Sequence, residues 1–228
     1  MTESTAAAQD DQEQPTIYTA YEIDFMLGLR ETEAGAITRE QVGLRSAPED
    51  AREFVTAAVT SGLRARGKVE RSADGQWLLG SEGQVVATAL TAADRWLGIA
   101  LSEGEAMRMA FVIKANQAII MLTQDELDSF VVSALPNPEE VAASVTDIVL
   151  AFLDEGEQRT VSLRRTDASA PQESAPLMFH VEADGSWQLA HLPLDEEGIL
   201  SVSPLAREQV SAVVSALWEQ GTSQAPAA

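Results

Sequence analysis

The chain has 228 residues, 45% of them hydrophobic, with 36 Asp and Glu against 15 Lys and Arg, a formal net charge of -21 and no cysteine. Such a length suits one domain, or two small ones, with a real core. The charge repels phosphate backbones and anionic lipid heads, and the lack of thiols excludes disulfides, thiolate metal sites and cysteine nucleophiles.

Residues 1–15 are acidic, rich in Ala and Gln, and without large apolar groups; they predict a disordered tail and carry neither the basic start nor the apolar run of a secretion signal. Folding is expected from residue 16. Thr19 followed by Glu22 has capping-box spacing and opens a helix whose apolar stripe is Ile23, Met26 and Leu27. Residues 37–45 fit a strand or a short helix equally well. Residues 46–67 predict a helix capped by Ser46 and ended by Gly67, with Phe54, Val55, Ala58, Val59, Gly62 and Leu63 at 3–4 spacing.

A hairpin follows, with Asp74-Gly75 expected as a two-residue type I′ turn before Trp77. Ser81 then caps a helix, residues 95–102 form a strand, and a turn comes at Glu103-Gly104-Glu105. A hairpin crosses Ala115-Asn116, with Met107, Met109, Phe111 and Ile113 on its more apolar face. Residues 124–135 predict a helix. So do residues 137–156, begun by Asn137 and Pro138 and closed by Gly156. A strand at 158–166 and a loop rich in small residues lead into a second hairpin, again with Asp-Gly (Asp184-Gly185) before a Trp (Trp187). A short extended piece and a final helix over 205–220 complete a single α+β domain over 16–220, its halves about 16–155 and 156–220. Residues 221–228 read as a second disordered tail.

Two likenesses within the chain bear on architecture. The Asp-Gly-x-Trp pair is a common hairpin device. More informative is Val-Val-Ser-Ala-Leu, which ends both 123–135 and 205–217, each after a hairpin. The expected fold is therefore antiparallel sheets with packed helices in two pseudo-symmetric hairpin-plus-helix halves. Trp77 lies before the repeated unit and Trp187 within it.

The residues supply no catalytic motif. There is no nucleophile elbow, no phosphate-cradling loop with Lys and no dinucleotide fingerprint, so no catalytic, cofactor or metal residue is assigned. A two-residue turn at Asp184-Gly185 sets His180 opposite Leu189 and His191 opposite Met178, without carboxylates at metal spacing. The acidic runs Asp10-Asp11, Asp154-Glu155-Gly156-Glu157 and Asp195-Glu196-Glu197 lack calcium-loop spacing. Residues 49–80, with Arg64, Arg66, Lys68 and Arg71, have the element order of a winged helix, yet lack the side chains that read base edges. No stretch of eighteen apolar residues exists to cross a membrane. Only Lys68 and Lys114 are lysines, a usage that with abundant Ala points to a GC-rich bacterium.

The order of elements, with "GLRARGKV" closing the long helix (residues 62–69) and "DGSWQL" before the terminal helix (residues 184–189), resembles the EspG-type proteins of the actinobacterial type VII (ESX) secretion system. The resemblance covers residues 17–219. It implies a cytoplasmic, non-catalytic chaperone without cofactor that keeps a secreted helical pair soluble, of PE–PPE or WXG type, with no nucleic acid partner and no membrane insertion. The chain is shorter than that family's pattern, and no binding residue carries across by motif. The alternatives are an acidic interaction or assembly protein of another actinobacterial pathway, or a degenerate winged-helix regulator.

Overall fold

The computed structural model describes residues 16–125, 127–135 and 137–221; both expected tails lie outside them, apart from Gly221, as does Asp10-Asp11. The protein is α+β. Nine strands form one sheet in the order β1-β7-β6-β5-β4-β8-β9-β10-β11, with every neighbouring pair antiparallel. They are β1 (Thr16–Thr19), β4 (Arg95–Glu103), β5 (Ala106–Ala115), β6 (Ala118–Gln124), β7 (Ser129–Ala134), β8 (Arg159–Asp167), β9 (Ala175–Val181), β10 (Trp187–Leu194) and β11 (Leu200–Pro204). A separate ribbon pairs β2 (Val69–Arg71) with β3 (Trp77–Leu79). The helices are α1 (Ala20–Gly28), α2 (Glu33–Val42), α3 (Arg52–Ala65), α4 (Ser81–Thr91), α5 (Val141–Leu153) and α6 (Val210–Gln220).

Strand alternation splits the core in two. Trp96, Phe111, Ile113, Ile120, Leu122 and Phe130 point to one face and pack beneath α1, α2 and α4. Leu97, Ile99, Val112, Val161, Leu163 and Phe179 point to the other and pack beneath α5 and α6. β5 is thus buried on both sides at its centre, so the expectation of one more apolar face holds only toward its first residues. β4 is the middle strand, with β5-β6-β7 meandering on one side and β8-β9-β10 on the other. The helices lie on opposite faces, with α1, α2 and α4 over the first meander and α5 and α6 over the second.

Local chemistry fixes the helix ends. Thr19 Oγ1 accepts from the Glu22 amide at 3.2 Å while the Glu22 carboxylate accepts from the Thr19 amide at 3.0 Å, the expected box. The ambiguous stretch 37–45 is largely α2, capped by Thr32 and ended by Gly43 at φ 71°. Two caps differ from expectation. Helix α3 starts after Ala51 with no side-chain cap, and Ser46 contacts Asp24 instead. Ser81 is the first residue of α4, whose N-cap is Gly80.

Polar contacts at two places tie the elements together. The Trp96 indole donates to Thr38 Oγ1 at 2.9 Å, and that hydroxyl donates to the Leu90 carbonyl at 2.8 Å, joining β4, α2 and α4. At the far end, Arg165 donates to the carbonyls of Leu217 and Trp218, and Arg95 donates to Trp218 and lies over its ring. Asp167 holds both guanidiniums, so the C-terminal carbonyls of α6 meet two fixed cations. Burial acts to raise the Asp167 pKa, but the hydrogen bonds from Arg165 and Arg95 outweigh it and hold the carboxyl below the usual range.

Residues 124–135 are not a helix. Asp125 Oδ1 accepts from the amides of Leu127 and Ser129, both at 2.9 Å, closing a turn that feeds β7 between β6 and β1. Phe130 is thereby buried while Leu127 stays in solvent. The first of the two expected hairpin-then-helix units, ending at 123–135, is therefore a hairpin followed by a strand.

Candidate functional site

Both Asp-Gly hairpins close with three residues in the loop, not two. The amide of Ser72 donates to Gln76 O and that of Gly75 to Ser72 O; Glu182, Ser186 and Gly185 repeat the pattern. Gly75 (φ 84°) and Gly185 (φ 80°) take the left-handed position that this loop requires. The extra residue moves the register by one. His180 faces Gln188, not Leu189, and Met178 faces Ala190, not His191. A slip of one residue exchanges the faces of a strand, so which side of β10 lies with Met178 and His180 of β9 is fixed by this pairing.

That side is uncovered. On β8, β9 and β10 the residues Val161, Leu163, Leu177, Phe179, Val181 and Leu189 are buried under α5 and α6. Their neighbours in sequence, including Thr160, Ser162, Arg164, Met178, His180 and Gln188, point the opposite way and are half-buried or exposed. The face continues through Ala100 and Met107 to Val202, with Met107 and Val202 each 65% exposed and Met178 37%. Where it runs under α2, a groove of about 380 Å³ is floored by Gly98, Ala100 and Ser162 and walled by Met109, Gln41 and Arg164. Gln41 is held there by the Thr166 hydroxyl at 3.0 Å.

The composition of this face differs from that of the chain. Its strand residues carry no carboxylate between Gly98 and Ser102, Met107 and Met109, Thr160 and Arg164, or Pro176 and His180. Methionines are flexible and polarisable, and they suit surfaces that repack against a partner. The edge nearest the loop is polar: Thr160 Oγ1 lies 2.8 Å from His180 Nδ1, and His180 Nε2 lies 3.7 Å from Glu182. On the opposite face Ser203 Oγ is 3.3 Å from His191 Nε2, and His191 Nδ1 is 2.6 Å from Leu192 O. Neither hydroxyl lines the groove. These pairs stitch neighbouring strands together.

A second cavity of about 510 Å³ lies between α1 and α3, lined by Tyr21, Phe25, Leu29, Arg52 and Val59, with the Asp24–Arg39 ion pair in its wall. Phe54 stands clear of the core on the same helix, 77% exposed.

The segment with the element order of a winged helix folds as α3 followed by the β2–β3 ribbon, and three of its four cations are engaged, Arg64 excepted. Arg66 pairs with Glu22 and Lys68 with Glu82, while Arg71 donates to Gly75 O and sits over Trp77. Beside them burial, then the Glu82 carboxylate, push the Tyr18 phenol up to about 12. Trp77 and Trp187 follow the same turn but stand in different sheets. The acidic runs are also used locally. Asp154 pairs with Arg207, whose hydrogen bond holds its carboxyl below the usual range; Glu155 pairs with Arg159; Asp195 accepts from the amides of Glu197 and Ile199. No cluster of three metal-binding side chains occurs among the described residues, and none of their helices is long and apolar enough to cross a membrane.

The sequence marks 158–166 only as a strand and assigns it no binding face; the usable signal was Met178, a large apolar residue on the same side of β9 as His180. No family model matches the chain, and no curated protein does.

Proposed function

We propose that this protein is a non-catalytic, cytoplasmic chaperone that holds a secreted helical pair soluble, as its resemblance to EspG-type proteins of type VII secretion implies, and that the pair docks on the open face of β4 and β8–β11. The observation that carries this reading is the uncovered face itself. The sheet is packed under α1, α2 and α4 over β1 and β4–β7 on one side, and under α5 and α6 over β4–β6 and β8–β10 on the other. On the first side β8–β11 contribute no buried apolar residue to the core among the described residues. Five strands span about 19 Å at the usual spacing, the width of two helices of about 10 Å diameter side by side. A net charge of -21 keeps such a complex soluble. Docking here leaves a two-helix client's own apolar faces out of water.

The winged-helix reading is disfavoured by the engagement of Arg66 and Lys68 with carboxylates. The test is affinity purification of the full chain from its native cell, in wild-type and Met178→Asp form, with mass spectrometry of what co-purifies. A helical secreted pair retained by the first and lost by the second is the expected outcome. Equal recovery from both, or recovery of the chain alone, sinks the proposal.

A further inference from the structure

We infer that the docked helix presents a carboxylate to Arg164, an inference that rests on the open face being the docking surface. Eight of the 15 basic residues form ion pairs with carboxylates in this structure: Arg39, Arg66, Lys68, Arg95, Lys114, Arg159, Arg165 and Arg207. The other seven, Arg30, Arg45, Arg52, Arg64, Arg71, Arg108 and Arg164, form no ion pair among the described residues, and of these Arg164 is the one that lines the groove. Arg164 is exposed on β8, in the wall of the groove, beside a floor of Gly98, Ala100 and Ser162. Its strand neighbours across β4 and β9 are Gly98 and Pro176, neither of which can accept from a guanidinium through a side chain. Glu40 of α2 lines the same groove but stands beyond ion-pair distance. The next residue, Arg165, points to the other face and is consumed by Asp167 and α6.

A guanidinium beside a small-residue floor offers a planar, two-pronged donor at a place where a helix backbone can approach closely. A partner helix seated there excludes water from the groove, which strengthens a pairing that is weak in solvent. The complement is a helix with small or aliphatic side chains on its contact face and one Asp or Glu near their centre. A Lys at that place meets Arg164 directly and is rejected.

The test uses the full chain immobilised and a defined probe. The probe is an equimolar set of 20-residue amphipathic helical peptides with Leu and Ala on one face, differing only at one central position of that face: Glu, Gln or Lys. The wild type is expected to retain the Glu peptide about tenfold over the Gln peptide, as a charge-assisted pair over a neutral one, and to retain the Lys peptide least. Arg164→Glu, at an exposed position, is expected to fold normally by circular dichroism and to reverse that order. Ser162→Trp, which fills the groove, is expected to lower retention of all three. Equal retention of Glu and Gln peptides by the wild type, or an unchanged order in Arg164→Glu, overturns the inference and leaves the docking face standing; this is the outcome if Arg164 instead reaches Glu40 in solution. Retention of no peptide above a scrambled control, or retention that Ser162→Trp does not lower, overturns the docking face and this inference with it.

Discussion

Val-Val-Ser-Ala-Leu occurs at 131–135 and at 213–217, and the two copies have different backbones. The first occupies β7 and the residue after it; the second lies within α6. In α6 the buried side chains Val210, Val213, Val214, Leu217 and Trp218 fall at helical spacing and pack on α5 and the sheet. In β7 Phe130 goes into one core, and the pentapeptide alternates between faces, paired to β6 and β1. Five residues with two β-branched members favour neither state by much. What differs is the surroundings: α6 has a helical run-in and a left-handed Gly221 at its end, whereas β7 is launched by the Asp125 turn into a waiting slot. The pentapeptide follows whichever partner buries its neighbours.

The largest way to sharpen the contrast is to truncate the shared leucine. Leu217 is wholly buried, so Leu217→Ala is expected to cost about 3 kcal/mol, from lost transfer and the cavity left behind. Leu135 is only partly buried against the same core, and Leu135→Ala should cost about 1 kcal/mol. Urea denaturation of both variants measures the difference, and equal costs would contradict the separate environments described above.

A medium effect separates the copies by how they are anchored. Asp167→Asn loosens Arg165 and Arg95 from the C-terminus of α6, with an expected loss of about 2 kcal/mol at pH 7. Because the folded carboxyl titrates below its ordinary value of 3.8, its contribution is present above that value and is lost as pH falls through the lower, folded pKa. The gap between wild type and variant should therefore narrow only in strong acid. A gap that stays constant across that window would mean that the carboxylate charge does not hold the helix. β7 has no such anchor, and its stability should not follow this titration.

The smallest effect has opposite signs. Ala134→Val on β7 is expected to stabilise by a few tenths of a kcal/mol, because a branched side chain suits a half-exposed strand. Ala216→Val in α6 is expected to cost about 0.5 kcal/mol in helix propensity. Thermal melts of the two variants should move in opposite directions; shifts of the same sign would show that packing overrides backbone preference at both places.

Much of the fold could be read residue by residue. The Thr19–Glu22 box, the Gly67 stop, the turn at Gly104 and the start of the helix at Asn137 are short-range chemistry, complete within four or five residues. Three features were not legible. The hairpin loops are one residue longer than an Asp-Gly pair suggests, because side chains such as Asp184, which accepts from the Ser186 amide, favour the longer loop. That single residue decides whether Leu189 shares a face with Phe179 or with His180. Residues 124–135 satisfy helical spacing, yet the sheet needed a strand between β6 and β1. The candidate docking face depends on which side of β8–β10 the helices left bare, a fact about α5 and α6 and not about the strands.

The amino-acid order by itself determined the caps, turns, apolar periodicities and the acidic exterior, since each arises from contacts along the chain or from summed charge. Only the tertiary structure decided that one copy of the pentapeptide is a strand, which face of each strand is buried, and that Arg164 forms no ion pair among the described residues. Those outcomes depend on burial against segments distant in sequence, and the free energy of burying a side chain exceeds the few tenths of a kcal/mol by which local preference distinguishes helix from strand.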